Sequence, residues 1–201
     1  MFGTFLRCFL IGCGIYGNFD FALSKNDAYV LNQMPGGKIR FFEYLCNYFA
    51  IFALTIGFVK KLRGFRNIHS FLMTVALSTQ FTAVTLYWSY KKMYPAYFKG
   101  FNTGDIRIDI FIEMSQHFLL FLACLLDPFL IGACKKFISF ILFIFSFGYV
   151  AYICYLFTTF STWPYLFFKE VDDVSKAIYL GLIIILPQFF YKILLVFMLY
   201  K

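Results

Sequence analysis

Six stretches of about twenty predominantly apolar residues, joined by short basic or mixed-charge loops, take up nearly all of this chain. The hydrocarbon core of a bilayer is ~30 Å thick and needs about that length of helix to cross it. The stretches cover residues 2–19, 39–59, 71–90, 110–131, 137–157 and 177–200. They predict an all-α, polytopic membrane protein of six transmembrane helices. Residues 1–201 then form a single six-helix transmembrane domain with almost no mass outside the membrane.

Composition supports that solvent. The chain is 62% hydrophobic and 14% charged, against roughly 45–50% and ~25% for soluble domains. The 31 Phe invite a story of aromatic binding, but Phe suits a lipid-facing surface and AT-rich coding also enriches it. The net charge of +8 does not imply nucleic acid, because the basic residues sit in loops beside the spans. There they act as topology determinants and headgroup contacts, so membrane lipids are the expected partners.

Cys8, Cys13, Cys46, Cys124 and Cys154 lie within apolar segments, where Cys behaves as a small hydrophobe. Cys134, beside Lys135 and Lys136, is a juxtamembrane candidate for palmitoylation. No zinc-type Cys/His spacing occurs. The segment around Arg7 is expected to be a retained first helix rather than a cleaved leader. Basic residues are nearly balanced between the two sides. Those at Lys60–Arg66 and Lys135–Lys136 are concentrated in shorter loops, which favours cytosolic termini. The longer loops, 20–38, 91–109 and 158–176, fall on the opposite side and would roof any site there.

Ionisable residues inside spans are costly and usually face the bundle interior or a wet cavity. Glu43 lies about one turn into the second span, with Asn47 four residues on and on the same face. In the fourth span Asp109, Glu113 and His117 fall at i, i+4 and i+8, with Gln116 alongside. Both helices enter from one side, which places Glu43 and His117 within roughly one helical turn of equal depth, so they could meet. A purely structural alternative stands beside this: Glu113 bonded to His117 along the helix, Glu43 snorkelling to the headgroups and Asp109 a helix-start residue in water. A metal at Glu43, Glu113 and His117 would have only one His among its three ligands, so no metal or cofactor is expected. Gln188 and Lys192 are expected to make interhelical contacts, and Thr74, Ser78, Thr82 and Thr85 to be packing residues. Pro187 is the one expected interruption of a span.

Several short motifs occur in order along the chain. Gly36-Gly37 precedes Arg40-Phe41-Phe42, Tyr94-Pro95 follows the third span, and His117 is followed ten residues later by Asp127. Phe145-Ser146-Phe147-Gly148-Tyr149 and Trp163-Pro164-Tyr165 come after them. Together they resemble signatures of the androgen-induced-protein family over about residues 35–192. The resemblance implies a six-span protein of the endomembrane system and cell surface. It also implies kinship with hydrolases of fatty acid esters of hydroxy fatty acids that use an intramembrane Thr nucleophile and a His. His117 matches the family His, but Glu43 stands where the family has its Thr. No Ser or Thr occurs between Ile39 and Leu54, so a shifted alignment does not restore the hydroxyl.

Covalent catalysis requires a nucleophile within reach of its base, which leaves three arrangements open. Glu43 and His117 could form an inactive polar lock; one of them could activate water; or Cys46, the nearest alternative nucleophile, could act with His117. Asn47, Glu113 and Cys46 are the possible supporting residues around Glu43 and His117. The leading expectation is an endomembrane relative of lipid-ester hydrolases that has lost or altered its nucleophile. The alternatives are a noncatalytic protein that binds lipid or a partner in the same cavity, and a small transporter using the Glu43, His117 and Glu113 stripe.

Overall fold

The computed structural model describes residues 2–19, 29, 32–59, 65–95, 106–127 and 135–199, with no strand among them. Cys134, Lys60, Lys61 and Arg63 lie outside the described residues, as do parts of the loops 20–38 and 91–109. Among the described residues, seven α-helices follow in order: α1 (Phe2–Asn18), α2 (Phe42–Val59), α3 (Phe65–Met93), α4 (Ile106–His117), α5 (Leu119–Leu126), α6 (Lys135–Phe160) and α7 (Asp173–Leu199). Two 3-10 turns, Gly37–Arg40 and Leu166–Lys169, precede α2 and α7.

Four helices, α2, α3, α6 and α7, are long and apolar enough to cross a membrane, and α4 with α5 makes a fifth span if the bent pair is taken as one. The chain is an integral membrane protein. α1 has 17 residues, about 25 Å of helix by rise, slightly under the ~30 Å hydrocarbon core. Phe140, Phe143, Ile144 and Phe147 on α6 and Ile178, Ile185 and Phe189 on α7 are exposed. In water such a contiguous apolar face would be a liability, whereas in a bilayer it is the lipid contact.

α3 is the central helix. Its Met73, Ala76 and Leu77 pack with α1, α2 and α5, its Val75 with α6 and α7, and its Ala83, Leu86 and Tyr90 with α6, α7 and the last loop. Small and hydroxylated residues let neighbouring helices approach. The hydroxyls of Thr74, Ser78, Thr79 and Thr82 each donate to a carbonyl one turn back in α3, so none is left unpaired in the apolar interior. This is the packing role expected of Thr74, Ser78 and Thr82.

The fourth span departs from expectation. The sequence predicts one helix carrying Asp109, Glu113 and His117 in a stripe, but the span breaks at Phe118 (φ −136°, ψ −44°) and bends by 47°. Neither Gly nor Pro is present at the break. The expected interruption at Pro187 is absent, since α7 runs through that residue. A proline removes one helical N–H, and a helix in lipid can continue when its neighbours re-satisfy the backbone. At Phe118 the reverse has happened. The Gln116 carbonyl, which in an unbroken helix would accept from the Leu120 N–H, accepts instead from the Asn47 side chain at 2.7 Å.

Candidate functional site

Glu43 sits in the first turn of α2, where the helix dipole favours a carboxylate, and it is buried. The Tyr165 hydroxyl donates to Glu43 Oε2 at 2.6 Å and accepts from the Phe42 backbone N–H at 3.1 Å. Tyr165 reaches this position because the last loop folds inward: Tyr165, Phe167 and Phe168 are all buried and pack against Tyr179 of α7. The expected roof over the site is therefore an aromatic plug. Removing the phenol in Tyr165→Phe leaves a buried carboxylate and a backbone N–H without this partner. The substitution is expected to cost about 1–3 kcal/mol; a loss below about 0.5 kcal/mol in detergent unfolding would contradict the assigned bond.

His117 closes α4 with its ring stacked on Tyr87 of α3, centroids 3.4 Å apart and planes 8° from parallel. The Tyr87 hydroxyl donates to Glu113 Oε1 at 2.7 Å, and Lys91, one turn beyond Tyr87, pairs with the same oxygen. Glu113 and His117 thus share Tyr87 and do not bond each other. His117 Nδ1 is buried without a hydrogen-bond partner among the described residues. The hydrogen bond considered between Glu43 and His117 is not formed directly. A tyrosine from the last loop satisfies the carboxylate, and a tyrosine from α3 covers the imidazole face.

Asn47 joins a buried amide network instead of the Glu43 carboxylate. Its Nδ2 donates to Asn18 Oδ1 at 2.6 Å as well as to the Gln116 carbonyl, and its Oδ1 accepts from Gln80 Nε2 at 2.8 Å. The Gln116 amide in turn donates to the Gly17 carbonyl and to the Tyr44 hydroxyl. Four helices, α1 to α4, are pinned at one node. Cys46 is fully buried, and its thiol interacts with the Thr79 hydroxyl of α3. Gln188 makes the expected interhelical contact, exchanging two hydrogen bonds with Ser139 of α6. Lys192 is exposed.

A second polar centre lies near the other end of α2, and the sequence reading did not assemble it. Arg7 of α1 forms an ion pair with Asp127, and His69 Nε2 stands 3.6 Å from the same carboxylate oxygen. A Cβ on Gly57 would lie 2.7 Å from both Arg7 Nη1 and His69 Nε2, so glycine is what admits both groups against α2. Gly57 is fourteen residues from Glu43, about 21 Å by helix rise. Asp127 therefore belongs to a different layer from Glu43 and is held by Arg7. Among the missed residues, Gln80 carries a usable signal, a lone amide midway along an apolar span. In comparisons with known proteins, no family model matches this sequence, and no curated protein and no solved structure matches it.

Proposed function

We propose that this chain is a noncatalytic, six-span protein of the endomembrane system, related to the androgen-induced-protein family, that binds membrane lipid. In this reading α1 and the bent α4–α5 pair complete the set of spans, and the hydrolase centre has become a structural lock. The observation that carries it is the engagement of Glu43 by Tyr165. The group in the nucleophile position has no hydroxyl, and its hydrogen bond goes to a buried plug residue instead of His117.

Three further features support loss of catalysis. The imidazole of His117 lies flat on Tyr87, and its Nδ1 has no carboxylate to orient it, whereas a catalytic base needs both reach and orientation. Cys46, the nearest alternative nucleophile, is directed to Thr79. The hydroxyls of Thr55 and of the α3 stripe are turned back on their own helices.

The test is hydrolysis of fatty acid esters of hydroxy fatty acids by purified protein in lipid. Wild type is expected to match His117→Ala, and a fluorophosphonate probe is expected to leave both unlabelled. His117-dependent turnover, or labelling mapped to a Ser or Thr, would overturn the noncatalytic reading. Glu43→Thr restores the family hydroxyl but leaves His117 on Tyr87, so it alone is expected to restore little activity.

A further inference from the structure

Arg40 is the one fully described arginine here that is buried without an acidic partner. It is 4% exposed and sits in the 3-10 turn ahead of α2. Its guanidinium donates through Nη2 to the Trp163 carbonyl and lies 5.7 Å from the Phe41 ring centroid. Its Nε is buried with no hydrogen-bond partner, and no carboxylate pairs with it among the described residues. A buried cation held only by a neutral carbonyl and a ring face is under-compensated.

The surroundings supply further donors. Thr162, next in sequence to the carbonyl that Arg40 holds, also has a buried Oγ1 without a partner. Ser161 before it adopts φ +53°, a left-handed conformation uncommon outside Gly and Asn, and turns the chain there. The Tyr152 hydroxyl makes no hydrogen bond among the described residues and faces Gly36, where a Cβ would lie 2.3 Å from it. Gly36 itself has φ +83°, so both its conformation and this approach require glycine. Arg40 Nε, the Tyr152 hydroxyl at the glycine turn and the Thr162 hydroxyl, one residue before the carbonyl that Arg40 holds, are donors without an acceptor among the described residues. Arginine is well suited to phosphate and carboxylate because its N–H groups form a fixed fork.

The site also has a lipid-facing flank. Ile39, Tyr155, Phe157 and Phe160 are exposed on the same turn and the same end of α6, and Trp163 marks the membrane interface. We propose that Arg40, Tyr152 and Thr162 bind the oxyanion of a membrane lipid, the phosphate of an anionic phospholipid or the carboxylate of a free fatty acid, with its acyl chain along this flank. The proposal rests on the lipid-binding part of the function above and gives it a site and a ligand chemistry. It does not depend on whether the protein is catalytic.

Trp163 is a built-in reporter. The chain has 2 Trp, so Trp88→Phe leaves Trp163 as the sole indole. In this background, in nanodiscs, brominated phosphatidylglycerol is expected to quench Trp163 at roughly tenfold lower mole fraction than brominated phosphatidylcholine, the effect of a charge-assisted hydrogen bond. A parallel titration with brominated oleic acid in phosphatidylcholine discs identifies the carboxylate source if that lipid quenches instead. Arg40→Gln is expected to abolish the preference, and Arg40→Lys to retain part of it. Tyr152→Phe combined with Thr162→Val keeps the guanidinium and is expected to weaken the preference roughly threefold, which provides a readout should Arg40→Gln fail to fold. Equal quenching by anionic and zwitterionic lipid, or a preference unchanged in the folded variants, would overturn the site. Ester hydrolysis in the same samples reports separately on the noncatalytic reading.

Discussion

Asp127→Leu is expected to destabilise the protein by about 3–5 kcal/mol, the usual cost of leaving one partner of a buried ion pair uncompensated. The side chain of Asp127 is 1% exposed and that of Arg7 14%, so water reaches the aspartate hardly at all. Its removal also turns Arg7 and His69 toward each other across Gly57. Replacing both members in Arg7→Leu with Asp127→Leu is expected to recover most of the loss, because apolar substitution of an entire buried pair is often neutral or stabilising. Unfolding in detergent measures both. A single-variant loss under about 1 kcal/mol, as for an exposed pair, would show that the cluster is solvated.

The second large effect falls on Asn47→Leu. Asn47 makes three side-chain hydrogen bonds, to Asn18, Gln116 and Gln80. Interhelical hydrogen bonds in membranes contribute about 0.6 kcal/mol on average and up to ~1.7, so losing three costs roughly 2–5 kcal/mol. The substitution also frees the Gln116 carbonyl to accept from the Leu120 N–H, which favours a straighter fourth span. Thr55→Ala is the control, since that hydroxyl is exposed and bonds only the Ile51 carbonyl of its own helix. Spin-label distances across Phe118 that stay at wild-type values in Asn47→Leu would mean that something other than this amide holds the bend.

Helix content and membrane residence were legible because hydropathy over about twenty residues is a property of the segment alone. The break at Phe118 was not, because its cause is on another helix: nothing in the Gln116-His117-Phe118-Leu119 sequence displaces a helical hydrogen bond, whereas the Asn47 amide does. Pro187 misled for the converse reason, being a strong local signal that the surrounding helix tolerates. For the candidate site, depth and helical face identified Glu43 as a buried residue. They could not give its partner, because Tyr165 comes from a loop whose inward fold depends on Phe167 and Phe168 finding space beside Tyr179. In sequence, Arg7 stands alone as a topology charge and Asp127 as a motif residue. Their pairing required the three-dimensional arrangement.

The aromatic plug has a consequence for the order of events during synthesis. Glu43 and Tyr165 are 122 residues apart. At about 5–20 residues per second, the carboxylate emerges roughly 6–25 s before the phenol that will satisfy it. Over that interval the first turn of α2 has no reason to leave water, and its hydration keeps the neighbouring helices from closing around it. The start of the second span is therefore among the last parts of the bundle to dry. A ribosome-arrested Phe42→Cys chain ending before Trp163, which keeps Glu43, should leave that thiol reactive to a water-soluble probe, and the completed, released chain, in which position 42 is buried, should silence it.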